Sequence, residues 1–243
     1  ESDGDAEEAV AILRKKGVVT AAKKAGREAG EGVIACKVAL DGRSGVIVEV
    51  NCETDFVAKN EDFQVFADEI ASALLSDPNA DLEDKRTEQV AKIGENIRIS
   101  RSDSFSPEVF GRIGSYVHTG GKVGVLMSLS TESEAGANHE ETCALAKDLC
   151  MQVAATAPVC VNRGDMSEEI VAKEREIATA QAEGKPPQAV EKIIAGKLDK
   201  FYAMSCLDEQ SFVKNPDQTI DELIQSHGSG VSVSGFARFQ IGE

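Results

Sequence analysis

Residues 45–71 read GVIVEVNCETDFVAKNEDFQVFADEIA, and the period of the apolar residues changes midway. Over 45–51 the pattern alternates: Val46, Val48 and Val50 fall on one face, Ile47 and Glu49 on the other, which is the period of a β-strand. From about Asp62 the spacing becomes helical, with Phe63, Phe66, Ala67, Ile70, Ala71 and Leu74 forming one stripe to be buried. Upstream, 33–40 reads as a second strand, and Asp41-Gly42 is a turn signal, so 33–51 is expected to be a hairpin with one half-wet face. Downstream, Asp77-Pro78-Asn79 stops the helix, 82–93 suggests another helix and 97–101 a third strand.

The second half repeats this grammar. Residues 114–118 and 123–129 are strand-like around the turn Thr119-Gly120-Gly121. A helix follows over 140–155, expected to be capped by Asn138 with Glu141 at its third position, and broken at Pro158. The expected fold class is therefore α+β, as two related subdomains of antiparallel sheet with packed helices.

Two helical segments stand apart from the repeat. Residues 5–16 carry helix signals at both ends: Asp5 as cap, Glu8 to complete a capping box and Gly17 as a stop. Ala6, Ala9, Val10 and Leu13 form its apolar stripe, which needs a partner. Residues 18–31 read as a short helical linker fraying at Gly26 and Gly30. Residues 167–183 and 187–203 are charged helices joined by Gly184-Lys185-Pro186-Pro187, with Ser167 as N-cap. Their thin seam of Ile170, Ile177, Val190, Ile194, Leu198 and Phe201 predicts an inserted antiparallel helical hairpin, a short coiled coil. The remainder, Phe212-Val213, a helix at 220–226 and a strand at 231–241, returns to the core.

Composition narrows the function. The formal net charge is −16, and a surface that acidic repels phosphate backbones, so direct nucleic-acid binding is disfavoured. No apolar run approaches the roughly 20 residues of a membrane span. The acidic opening Glu1-Ser2-Asp3-Gly4-Asp5 is unlike a signal or transit peptide, so a mature or trimmed chain is expected. The six cysteines form no Cys-x-x-Cys pair, and His139 with Cys143 is at best half a metal site. Structural thiols and no metal are expected, in a reducing compartment. Gly120-Gly121-Lys122 resembles the end of a phosphate loop, but Val123 stands where Ser or Thr should hold magnesium. No nucleophile elbow and no metal-binding His pair is present, so neither catalytic residues nor a cofactor are expected.

One segment invites a different reading. Asn51-Cys52-Glu53-Thr54-Asp55 is a largely polar run leading into a single aromatic, Phe56. The plain alternative is a core Phe56 beside a capping Asp55. Set between a strand and a helix, the run suits a presented tip, with an apolar ring and an acidic neighbour as a wedge for a partner protein.

Residues 45–71, with Thr54-Asp55-Phe56-Val57 as the most diagnostic part, resemble the elongation factor Ts family. Other blocks agree in order along nearly the whole chain: Ala21-Ala22-Lys23-Lys24-Ala25-Gly26, AKIGENI at 91–97, Gly114-Ser115-Tyr116-Val117-His118, MQVAATAP at 151–158, QSFV at 210–213 and VSGFARF at 233–239. The resemblance implies a non-enzymatic guanine-nucleotide exchange factor for the GTPase elongation factor Tu. Asp55 and Phe56 would enter the partner's GTPase domain beside its magnesium site, with Thr54 and Val57 shaping the loop. Val123, Gly124, Met151 and Gln152 are the candidates for holding the partner's third domain. It implies a bacterial cytoplasm, or alternatively a mitochondrial matrix or plastid stroma, and leaves a homo-oligomer open.

The domain division expected on this basis has four parts. Residues 1–31 are the last helix of a ubiquitin-associated-like module and its linker, 32–112 one core subdomain, 113–166 with 205–243 the other, and 167–204 the hairpin. The family's longer members carry a full opening module and a helix after the final strand, and trimming is the expected explanation for both differences. The competing class is a protein of the same fold that binds the translation machinery without exchange activity. An enzyme reading from the glycine-lysine turn predicts instead that the isolated chain binds nucleotide.

Overall fold

The structure is a computed structural model and describes residues 5–107, 109–228 and 230–243. Chain order gives α1 (Ala6–Lys24), β1 (Glu31–Val38), β2 (Gly45–Cys52), α2 (Asp55–Ala58), α3 (Glu61–Ser76), α4 (Glu83–Ile93), β3 (Arg98–Phe105), β4 (Gly111–Val117), β5 (Val123–Ser130), α5 (Glu134–Ala137), α6 (Glu140–Thr156), α7 (Glu168–Gln181), α8 (Pro187–Ser205), β6 (Ser211–Phe212), β7 (Asn215–Thr219), α9 (Ile220–Ser226) and β8 (Ser232–Gln240). The sheets are antiparallel β1-β2-β3, a sheet of order β4-β5-β8, and the antiparallel pair β6-β7. This is an α+β fold. Two compact units are present: one runs to Ser106 and includes Ile113–Leu126 and Ala237–Glu243, the other comprises Pro107–Arg112 and Met127–Phe236.

In the first unit the helical stripe behaves as its spacing predicts. Phe63, Phe66, Ala67, Ile70, Ala71 and Leu74 of α3 are all buried, against Val46, Val48 and Val50 of β2. Burying each large apolar side chain contributes about 1.5–3 kcal/mol, so this interface anchors the unit. Asn60 caps the helix, its side chain accepting from the Asp62 N–H at 2.8 Å.

The half-wet face does not exist. Every residue of β2 is buried, because it is the central strand and its second face is covered too. Ile47 packs with Ile113 of β4, Leu126 of β5 and Ala237 of β8. Glu49 on the same face is only 5% exposed. Its carboxylate is compensated by Arg101 Nε at 2.7 Å and Asn51 Nδ2 at 2.9 Å, and the Arg101 guanidinium lies 4.5 Å from the Phe239 ring centre. A buried charge survives only when paired and hydrogen-bonded in this way.

The first helix is longer than its signals predict. Asp5 caps it, accepting from the Glu7 and Glu8 N–H groups at 2.8 and 3.1 Å. It then runs through Gly17, the expected stop, to Lys24. Gly17 is buried where α1 crosses α4: a Cβ there would sit 3.6 Å from Ala91 Cβ and Thr87 Cγ2. Tertiary packing overrides the glycine's low helix propensity. A partner for this helix is thus α4 itself, and Ala21 joins the core. The side chains of Ala6, Ala9, Val10 and Leu13, expected as a stripe, and the segment before Asp5 lie outside what the structure describes.

In the second unit, Asn138 does not cap α6. Ser133 starts the extra turn α5, Asn138 closes that turn, and His139 takes the N-cap position of α6. Asn138 Oδ1 accepts instead from Arg112 Nη1 at 3.3 Å. The helical hairpin forms, capped by Ser167, but its seam on α7 differs. Ile170 and Ile177 are exposed, while Ala178 and the C-cap Ala182 are buried and Val171 is half-buried; on α8 Leu198 is buried and Val190, Ile194 and Phe201 are half-buried. Alanine on the inner face lets the two helices approach closely, which isoleucine would not. At the hairpin's root, Arg163 bonds both Glu209 oxygens and lies 4.4 Å from the Tyr202 ring centre.

Two stability effects follow in this unit. Ala157 ends α6 in the left-handed region, φ 46 and ψ 55, with its exposed methyl unsupported. A non-glycine residue there costs about 1–2 kcal/mol, and glycine returns part of that as unfolded-state entropy. Ala157→Gly is therefore expected to raise stability by roughly 0.5–1 kcal/mol in urea denaturation.

Burial, then Asp221, Asp165 and Glu209, push the Asp208 carboxyl up to about 6. Its folded value exceeds its unfolded one, so its favourable contribution is complete below about pH 4 and is lost as pH rises through 6. Asp208→Asn should stabilise the protein at pH 7 by about 1 kcal/mol, allowing for solvent screening of a half-exposed group. The gain the parent shows on acidification from pH 7 to 5 should disappear in the variant's urea midpoints.

Candidate partner-binding loop

Strand β2 delivers the chain to Cys52, and the next residues make a one-turn helix. Thr54 caps α2, its hydroxyl accepting from the Val57 N–H at 3.4 Å, and its carbonyl accepts from the Ala58 N–H at 3.2 Å. Thr is a natural cap, and Asp55 in the first turn suits the positive end of the helix dipole. Ala58 is buried and Val57 packs against the core, so the turn is pinned on that side. Phe56 points the other way and is 81% exposed. The sequence allows either a core ring or a presented one; the ring is presented.

The loop's backbone is held from both sides. The Glu95 carboxylate accepts from the Glu53 N–H and the Thr54 N–H, both at 3.0 Å, and from the Thr54 hydroxyl at 2.7 Å. The Glu53 carboxylate in turn accepts from the Asn96 N–H at 2.6 Å and faces Arg27 at 3.5 Å. The Cys52 thiol donates to the Thr54 carbonyl at 3.2 Å; burial, then Glu95, push it up to about 12, so it stays a neutral donor. Lys59 Nζ lies 2.7 Å from Asp55 Oδ2 and, chiefly through that hydrogen bond, holds the Asp55 carboxyl below the usual carboxylate range. Chemically the loop offers a fixed negative charge beside a bare aromatic ring.

The second unit supplies an internal control. Ser133 caps α5 as Thr54 caps α2, accepting from the Gly136 N–H at 3.1 Å, and the bonds from Ala137 and Asn138 back to Ser133 and Glu134 mirror those from Ala58 and Lys59 to Thr54 and Asp55. Ala137 is buried like Ala58. At the position matching Phe56 stands Ala135, also exposed. The same turn therefore folds without an aromatic there, and Phe56 has no structural duty.

The other candidates divide differently. Val123 and Gly124 lie in the first unit, Met151 and Gln152 in the second. Val123 and Met151 are half-buried. Gly124 is buried where a Cβ would lie 2.4 Å from Ile34 Cγ2, so glycine is needed for close strand packing rather than for a ligand. Gln152 is fully buried, bonded to Gln210, the Ser211 carbonyl and the Val213 N–H. Neither Gly124 nor Gln152 presents surface to a partner in this conformation. The Gly120-Gly121 pair is a β4–β5 turn, its glycines at φ 89 and 71, and Lys122 pairs with Glu31. Among the described residues no group of three His, Cys, Asp or Glu side chains is placed to hold a metal ion, and no helix is long and apolar enough to cross a membrane.

A model of the family described as elongation factor TS matches residues 53–243, a span that contains the whole loop. The chain belongs to the elongation factor Ts family. An elongation factor Ts from Clostridium botulinum strain Alaska E43 is 41% identical over 263 residues, covering all of this chain and 85% of the relative. That from Methylococcus capsulatus is 44% identical over 259 residues, covering all of this chain and 84% of its own. That from Syntrophotalea carbinolica is 43% identical over 265, covering all and 85%. Membership in the elongation factor Ts family gives the exposed ring and the pinned turn a common context. Glu95, which nothing local in the sequence singles out for the loop, lies inside the AKIGENI block, and its only local signal is the acidic residue directly after the helix-stopping Gly94.

Proposed function

We propose that this chain is a guanine-nucleotide exchange factor of translation that binds elongation factor Tu carrying GDP and accelerates GDP release. The observation that carries the reading is Phe56: a large ring, exposed on a rigid turn, where the matching turn of the second unit has alanine. The ring and the Asp55 carboxylate insert beside the partner's magnesium and phosphate site. GDP in such a pocket is held largely by Mg²⁺ and backbone N–H groups, and a wedge shifting nearby helices weakens both. By linkage, whatever factor the wedge removes from GDP affinity, GDP removes from affinity for the wedge. Val123 and Met151, half-buried, are retained as contact candidates for the partner's third domain, while Gly124 and Gln152 act by shaping the backbone beneath. Such work belongs to a compartment with its own ribosomes, a bacterial cytoplasm or an organelle derived from one.

The test is release of a fluorescent GDP analogue from elongation factor Tu with increasing amounts of this chain. The rate is expected to rise and saturate. A stable complex with an unchanged rate would replace exchange by simple binding to the translation machinery.

A further inference from the structure

We infer that Glu95 is the positioning residue of the wedge, a side chain that touches no partner but fixes the angle at which Asp55 and Phe56 are presented. The inference rests on the exchange reading above. Its basis is an exchange of carboxylates between two loops: Glu95 takes the Glu53 and Thr54 N–H groups and the Thr54 hydroxyl, and Glu53 takes the Asn96 N–H. These are the groups at which β2 has run out of strand partners and α2 has not yet begun, so without Glu95 they would face water and the turn would sample other angles.

The sequence builds Glu95 into place over a distance. Helix α4 packs on α1 at Gly17 and stops at Gly94, whose left-handed backbone (φ 85) turns the chain toward the loop. The Gly94 carbonyl accepts from Lys24, and Asn96, nearly fully buried, bonds the Arg27 carbonyl through Nδ2 at 2.7 Å. Glu95 is therefore held on a rigid frame, flanked by groups already satisfied. The two acidic side chains bond reciprocally across the loops, each accepting from the other's backbone segment. Among the described residues, the turn α5, with a similar hydrogen-bond pattern, has Ser133 capping by itself and no carboxylate accepting from its backbone. What distinguishes the turn braced by Glu95 is that it carries Phe56.

The experiment compares Glu95→Ala, Glu95→Gln, Thr54→Val and Phe56→Ala in the full chain, reading GDP-analogue release from elongation factor Tu at saturating factor. Glu95→Ala is expected to slow release between about tenfold and a hundredfold, the scale of a misplaced reacting group. Glu95→Gln keeps an oxygen for the two N–H groups and an amide donor for the threonine oxygen, and should recover at least half the rate. The deciding readout is the double variant: in the Phe56→Ala background, Glu95→Ala should add less than about a twofold further loss, since no ring remains to be aimed. If the losses multiply, Glu95 serves the fold in general and the inference fails. If Glu95→Ala releases GDP at the parent rate while Phe56→Ala does not, the inference fails and the wedge survives. If Phe56→Ala is itself inert, both fall. Should Glu95→Ala fold poorly, Thr54→Val, which removes one of the three bonds and with it the cap on the Val57 N–H, must show the same non-additivity with Phe56→Ala, and Thr54→Ser, which keeps both bonds, must release GDP near the parent rate, or the inference is overturned.

Discussion

Phe56→Ala is expected to slow catalysed GDP release by a factor of roughly 10–150 while leaving the protein's own stability within about 0.5 kcal/mol of the parent. The two halves of that expectation come from one number: the ring is 81% exposed, so removing it leaves no cavity and breaks little packing. The same exposure means that its apolar surface is unspent in the free protein. Burying a phenylalanine side chain in a partner is worth about 1.5–3 kcal/mol, and each 1.4 kcal/mol is tenfold in an equilibrium. One ring can offset no more than that factor, so under the proposed function a broader contact shares the work and the variant should still bind elongation factor Tu. Stopped-flow release at matched complex occupancy, together with a urea melt of the free variant, measures both halves. A parent-like rate in the variant would remove the wedge; a lowered urea midpoint would instead give the ring a structural role that Ala135 argues against. Asp55→Asn is the companion probe, since it removes the charge beside the ring and the 2.7 Å ion pair to Lys59.

How much of this is legible in the sequence depends on how far apart the deciding residues are. The α3 stripe and the β1–β2 hairpin were legible because each is written within a few turns of chain. The covered second face of β2 was not, because Ile113, Leu126 and Ala237 come from far along the sequence and nothing near Ile47 announces them. Glu49 misled for the same reason: a lone carboxylate reads as wet until Arg101 is placed beside it. The ring was legible only as an open choice, the polar run before it suiting a presented tip without excluding a core position, whereas Glu95 was not legible, since a carboxylate accepting backbone N–H groups across more than forty positions leaves no periodic trace. The seam of α7 was misread by one position because isoleucine outweighs alanine on any hydropathy scale, while close helix packing prefers the smaller residue.

Gln152, a partner-contact candidate by resemblance, is buried and offers the larger stability effect. It lies three residues beyond Leu149 and seven beyond Leu145, on the buried face of α6, so its helical phase places it inward despite its polarity. Gln152→Ala should cost about 2–4 kcal/mol, because it removes a side chain from a packed site and strands its partners. The Val213 N–H loses its acceptor at 2.8 Å, and the Ser211 carbonyl and Gln210 Oε1 each lose a donor at 3.1 Å. Gln210 keeps its bond from the Thr156 hydroxyl and still donates to the Met204 carbonyl, so the damage centres on the strand β6 and the residue after it. At about 2–4 °C per kcal/mol for a chain of this size, the melting temperature should fall by roughly 4–16 °C. Gln152→Glu should be worse at neutral pH, since it keeps the acceptor for Val213 but turns a buried donor into a charge facing two oxygens. Calorimetry reads these losses directly, and the exchange assay run well below the new transition separates them from contact with elongation factor Tu. A buried Gln152 predicts exchange within a few-fold of the parent in the still-folded variant. A variant as stable as the parent but unable to promote exchange would mean that this side chain leaves its network to meet the partner.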